Sequence, residues 1–168
     1  MTPIHIDRIE SPVGTVTVAV HGKTLVALDF VDEAAMRARL VDRFEDARFF
    51  ETDDPAGHAT RLRAYFDGDL SAIEDIPVDP GGTPFQRRVW KALQDVPCGE
   101  TRSYRDIARA VGNEAAVRAV GGANHRNPIG IVIPCHRVVN ADHKLGGYGG
   151  GLDNKRWLLQ HEGAFLLA

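Results

Sequence analysis

From Ile4 to Phe30 the chain alternates apolar and polar residues, with Val16, Val18 and Val20 on one face and turn signals at Ser11-Pro12, Gly14 and His21-Gly22. This period-two pattern predicts a three-stranded antiparallel meander. The period then lengthens. Met36, Leu40 and Phe44 predict a helix over 33–48, and Leu62, Tyr65 and Phe66 predict another over 55–66. The run Ile76-Pro77-Val78-Asp79-Pro80-Gly81-Gly82 disfavours both regular elements, so the domain boundary is placed there. An α+β domain with a small antiparallel sheet over 1–80 is expected to precede a mainly helical domain over 81–168.

Beyond the boundary, Thr83-Pro84-Phe85-Gln86 is a capping box with proline at the first helical position, predicting a helix that buries Phe85, Val89 and Leu93. Ser103-Tyr104-Arg105-Asp106 opens a second, short helix with Ile107 and Val111 inward, stopped by Gly112. Asn113 then caps a third, through Val117 and Val120 to Gly121-Gly122. Two short helices joined through a glycine, with Arg105, Arg109 and Arg118 outside, fit a helix-turn-helix, although helical hairpins in any bundle share this pattern. A last helix over 153–162 starts at an Asp cap, carries Trp157 and Leu158, and ends at Gly163.

Charge changes the picture. The net charge of -3 over 168 residues conceals a segregation: residues 1–83 hold 8 basic and 16 acidic side chains, whereas 84–137 hold 9 basic and 4 acidic. A basic segment beside an acidic one is the footprint of a polyanionic partner; the alternative is a chance cluster on a solvated face. No stretch approaches the roughly 18 consecutive apolar residues of a membrane span, and the opening MTPIHIDRIE carries charges where a signal peptide places its apolar core. The expectation is a cytoplasmic protein without a membrane partner.

The candidate chemistry lies in Ile129-Gly130-Ile131-Val132-Ile133-Pro134-Cys135-His136-Arg137-Val138-Val139, where a thiol, an imidazole and a guanidinium interrupt an apolar run. A nearby cation or proton-accepting imidazole lowers a thiol's pKa and makes it a nucleophile; the alternative is an inert core cysteine beside a hydrogen-bonded histidine. Cys98, in the turn Pro97-Cys98-Gly99, has no such neighbours in sequence, and neither cysteine belongs to a CxxC motif, which argues against a structural zinc site or disulfide framework.

The segment 133–139, together with Arg118-Ala119-Val120-Gly121-Gly122-Ala123-Asn124, Asn127-Pro128 and Gly99-Glu100-Thr101-Arg102-Ser103-Tyr104, resembles the O6-alkylguanine-DNA alkyltransferases. The likeness runs from about Thr83 to Gly163; the first half shares only size and strand-then-helix order. It implies a ribonuclease H-like first domain and a winged-helix-like second one. It also implies direct-reversal DNA repair, with the alkyl group of O6-alkylguanine, and of O4-alkylthymine, moving irreversibly to Cys135 in a single turnover. By the same resemblance His136 accepts the thiol proton through a bridging water, Glu162 orients His136, and Tyr104 donates toward the leaving base. Arg118 fills the stack of a flipped nucleotide, while Arg105 and the small Ala115, Ala116, Ala119 and Gly122 lie at the minor groove of double-stranded DNA. Tyr148, Gly149, Gly150 and Val138 line the base pocket, and Asn127 is the hinge between helix-turn-helix and reactive segment. Gly149 departs from relatives that carry serine or arginine there. The resemblance implies a monomer with no metal and no diffusible cofactor. A lesion binder that replaces the cysteine and a thiol hydrolase are the competing classes; Cys135 argues against the first, and the basic helices against the second.

Overall fold

The alternating segment forms β1 (Thr2–Ser11), β2 (Gly14–His21) and β3 (Thr24–Asp29), paired antiparallel in the order of the chain. The computed structural model describes residues 1–164 and divides into two compact units, Met1–Pro80 and a second from Gly81 onward. Positions 165–168 of the expected second domain lie outside the described residues. Val16, Val18 and Val20 are all fully buried, but so are Thr17 and Ala19 between them, because β2 is an interior strand covered on both faces. One cover is α1 (Glu33–Arg43), whose Met36 and Leu40 pack with Ile4, Ile6, Ala19, Val26 and Ala27. The helix starts where the Asp32 side chain accepts from the Ala35 N–H at 2.8 Å. A second helix, α2 (His58–Phe66), packs against β1.

Two expectations for this unit need correction. The helix predicted over 33–48 ends at Arg43, and Ala47–Glu51 is instead a strand, β4, parallel to β1. The sheet is therefore mixed, in the order β3-β2-β1-β4. Asp46, at φ 48°, turns the chain out of the helix, and Ala47 and Phe49 then join the Met36–Leu40 cluster from the strand. The helix predicted over 55–66 is broken at its start: Pro55–Gly57 is a single 3-10 turn, and Ala56 and Gly57 have positive φ before α2 begins.

The second unit opens with α3 (Pro84–Gln94), whose capping box is complete: Gln86 N–H donates to Thr83 Oγ1 at 3.2 Å and Thr83 N–H to Gln86 Oε1 at 3.0 Å. Val89 and Leu93 are buried, and Phe85 is half-buried with the Arg88 guanidinium 5.7 Å from its ring centre. Gly82 is fixed by packing as well as by its φ of +84°, since a Cβ there would lie 2.5 Å from the Trp90 ring. The helix α4 (Tyr104–Ala110) carries a second complete capping box, Ser103 with Asp106. The third helix differs from expectation. Asn113 caps only a turn, its Oδ1 accepting from the Ala115 N–H, and α5 runs Val117–His125 straight through Gly121 and Gly122. The last helix, α6 (Leu152–His161), follows Gly151, so Asp153 lies inside its first turn and caps nothing. Helices α3, α4 and α5 pack together, and β5 (Arg102–Ser103) and β6 (Val138–Val139) form a two-stranded parallel ladder beside them.

Candidate active site

The segment entering Cys135 is built from tight turns. Val132 N–H donates to Gly130 carbonyl at 2.7 Å across Ile131, a fully buried β-branched residue at φ 66°. Cys135 N–H likewise donates to Ile133 carbonyl at 2.8 Å across Pro134, at φ -83° and ψ 65°. Each closes a three-residue turn, and the first uses a backbone region that β-branched residues rarely occupy. Asn127 holds the strained loop: its Nδ2 donates to Ile133 carbonyl at 2.7 Å and its Oδ1 accepts from the Ile129 N–H at 3.0 Å. Cys135–Arg137 then forms one 3-10 turn that buries all three side chains.

His136 is fully buried, and its Nε2 lies 3.0 Å from both oxygens of Glu162, the residue that ends α6. Burial lowers the His136 pKa; Glu162 opposes this, and the charges of Arg137 and Lys155 add to the lowering. The ring is therefore neutral at pH 7. A carboxylate only accepts, so the ring's one proton sits on Nε2 and Nδ1 is the basic nitrogen. That Nδ1 is buried and has no hydrogen-bond partner among the described protein atoms. Burial would raise the Glu162 pKa, but hydrogen bonds and charge from His136 and Arg137 outweigh it and hold the carboxyl far below the usual carboxylate range.

Arg137 contributes to that hold after His136. Its Nε donates to Glu162 Oε1 at 2.9 Å and Nη2 to Oε2 at 3.1 Å, a bidentate fork, while Nη1 donates to the Val96 carbonyl at 2.7 Å. The candidate residues named from the sequence include the Arg137 guanidinium in the apolar run but left out its pairing with Glu162. They also omitted Lys155, which is fully buried with Nζ donating to Val138 carbonyl at 2.6 Å and Gly147 carbonyl at 3.0 Å. The signal for Lys155 is its place in the apolar stripe of α6 with Leu158 and Leu159, three and four residues on. Asn124, likewise in stripe with Val120, is buried and its Nδ2 reaches the Cys135 carbonyl at 3.5 Å.

Tyr104, the first residue of α4, is half-buried near Cys135. Burial raises its pKa, Cys135 acts in the same direction, and a hydrogen bond from the Gly147 N–H opposes both. Val138 is fully buried, Tyr148 and Gly150 half-buried, and Gly149 exposed. On the helical pair, Arg105, Arg118, Ala115, Ala119 and Gly122 are exposed, and Ala116 is half-buried just before α5. Arg105 and Arg118 are thus solvent-exposed on the α4–α5 pair, apart from the buried charge cluster. Among the described residues no group of three His, Cys, Asp or Glu side chains could hold a metal ion.

A family model described as the DNA binding domain of 6-O-methylguanine DNA methyltransferase matches residues 84–164, and the ribonuclease-like domain of the same family matches 4–80. The chain belongs to the 6-O-methylguanine DNA methyltransferase family. Its family relatives include the methylated-DNA--protein-cysteine methyltransferase of Mycobacterium tuberculosis, 46% identical over 162 residues that cover 95% of this chain and 92% of that one. The protein of the same name from Shigella flexneri is 41% identical, covering 96% of each chain. Among solved structures, M. tuberculosis OGT in complex with DNA aligns with a TM-score of 0.80 at 42% identity, covering 96% of this chain and 92% of that one.

Proposed function

We propose that this methyltransferase-family chain repairs DNA by moving the alkyl group of O6-alkylguanine to Cys135 Sγ. The observation that carries the reading is the neutral His136, with Nε2–H on Glu162 and a basic Nδ1, directly following a buried cysteine. The thiol proton passes through a water to Nδ1, and the thiolate attacks the alkyl carbon in line. The S–C bond forms as the C–O6 bond breaks, and the guanine departs with negative charge spread over its ring. A hydrogen bond from the Tyr104 hydroxyl stabilises that charge as it develops. The proton on His136 balances the purine's charge and leaves with it. Glu162, gripped by Arg137, fixes the tautomer throughout, the nucleophile, base and orienter arrangement of catalytic triads. The thioether has no route back to a thiol, so each chain acts once.

DNA is the partner of the related M. tuberculosis protein in its solved complex, and the basic segment 84–137 supports the same partner here. An alkylated base inside a duplex is out of reach, so the nucleotide turns outward, with Arg118 taking its place in the stack. The small residues around Arg118 suit close approach to the minor groove, which is poor in sequence information and so suits a search for lesions in any context. One chain suffices for this chemistry, acting as a cytoplasmic monomer; O4-alkylthymine presents the same alkyl–oxygen bond. The test is transfer from a duplex containing O6-methylguanine: Cys135→Ala abolishes methyl uptake and retains DNA binding, whereas Cys98→Ala changes neither. Uptake that survives in Cys135→Ala would contradict the assignment.

A further inference from the structure

We propose that Asn124 is a specificity-determining residue whose buried Oδ1 accepts a hydrogen bond from the 2-amino group of O6-alkylguanine. The inference rests on the alkyl-transfer reading. Asn124 lies near the end of α5, 6% exposed, in stripe with Val120. Its Nδ2 donates to the Cys135 carbonyl at 3.5 Å, which joins the helix that carries Arg118 to the reactive turn. A carbonyl only accepts, so this contact fixes which way the amide lies: the nitrogen faces Cys135, and the oxygen takes the other branch of the same amide carbon. That oxygen is buried and has no hydrogen-bond partner among the described protein atoms.

Both ends of the contact are held in place. Trp90 Nε1 donates to the Ala123 carbonyl at 2.9 Å and the Asn127 N–H to the Asn124 carbonyl at 3.4 Å, which brace the last turn of α5. The Cys135 carbonyl accepts from the Val138 N–H as well. A buried acceptor left without a donor costs stability, and a leucine of similar size would avoid that cost. Folding alone therefore does not call for an amide here. His136 Nδ1, a second buried acceptor without a partner, takes the thiol proton in the mechanism, whereas Asn124 Oδ1 has no part in that relay.

The substrate supplies the missing donor. Alkylation at O6 leaves N1 of guanine without a hydrogen, so in DNA the 2-amino group carries the N–H protons of the alkylated base. O4-alkylthymine has no N–H to offer, and the same acceptor ranks it below O6-alkylguanine. Cys135 is itself 7% exposed, so a base that brings its alkyl carbon to Sγ comes against the residues that bury the cysteine, and Asn124 is bonded to it. A site built to bond a substrate N–H rejects the analogue that lacks it more strongly than apolar contact alone does.

An amide that only braces Cys135, or only holds a water, slows every substrate alike, and an analogue separates these roles. Methyl transfer is timed from duplexes containing O6-methylguanine or O6-methylhypoxanthine, the same base without its 2-amino group, for wild type and Asn124→Leu. Loss of the amino group slows wild type on the order of tenfold. Differences in intrinsic reactivity and in leaving the stack are common to both proteins and cancel in the comparison. In Asn124→Leu the ratio of the two rates falls by more than about twofold, beyond the scatter of independent groups. A ratio that stays within that scatter overturns the proposal and leaves the alkyl-transfer reading standing; a wild type that takes up no methyl from O6-methylguanine overturns both. If Asn124→Leu does not fold, Asn124→Met carries the same comparison, since it too removes the acceptor.

Discussion

In the N-terminal unit the buried polar side chains are Thr17 and His58, each bonded to a backbone carbonyl: Thr17 Oγ1 donates to Val31 at 2.6 Å, and His58 Nε2 lies 2.7 Å from that of Lys23. The rest of that core is apolar. The second unit buries Asn124, His136, Arg137, Lys155 and Glu162 among its described residues. Hydrocarbon in place of such a charge cluster is often neutral or stabilising, so folding alone does not account for it. The contrast teaches where stability has been traded for chemistry: one unit follows the burial rules, and the other departs from them around a single cysteine.

Removing a charge from each unit breaks the comparison most sharply. Glu162→Ala leaves the Arg137 guanidinium buried without its carboxylate and costs about 3–5 kcal/mol. Arg39→Ala in the first unit removes an exposed pair with Asp29, 2.6 Å long, and costs about 0–1 kcal/mol. Denaturant titration of both variants checks the ratio; equal losses would mean the buried cluster carries no special weight.

Arg118 tests the exposed side of the second unit. Arg118→Ala slows repair of duplex DNA on the order of tenfold or more, because turning a base out costs a few kcal/mol, and leaves the reaction with free O6-benzylguanine unchanged. Equal losses on both substrates would make Arg118 a residue of the fold.

A smaller effect concerns pH. The folded His136 pKa lies below the ordinary 6.5, so the unfolded chain binds this proton first. Its contribution to stability is therefore complete above pH 6.5 and is lost as pH falls from there toward the folded value. Transfer correspondingly keeps its rate just below pH 6.5, where a solvated histidine would already be half protonated. His136→Gln removes that stability step from the pH titration; a step that persists belongs to another group.

The mildest change is in the loop. A Cβ at Gly149 meets nothing within 4 Å. Gly150→Trp slows benzyl transfer more than methyl transfer, and an unchanged rate ratio would remove this loop from the alkyl pocket.

Local chemistry made much of the fold legible. The capping boxes at Thr83 and Ser103 start their helices where the spacing says, because both partners of each box are within three residues. Strand β4 was hidden because Phe44 continues the Met36–Leu40 helical stripe, and only the tertiary pairing with β1 turns Ala47–Glu51 into a strand. Asn113 is a good cap residue, but its side chain closes a local turn before α5 begins. At the site, Cys135 and His136 were visible as polar residues in an apolar run. The fork between Arg137 and Glu162 spans 25 residues of sequence, and Lys155 resembles any solvated helix lysine until its carbonyl partners are in place.

The central claim is that one sulfur takes one alkyl group and keeps it. A fixed amount of protein is titrated with increasing O6-methylguanine duplex, and restored guanine and protein mass are followed together. Restored guanine should stop rising at one per chain, with a single added methyl group that maps to the peptide containing Cys135. Guanine that goes on rising, or a methyl group found on Cys98, would contradict the account.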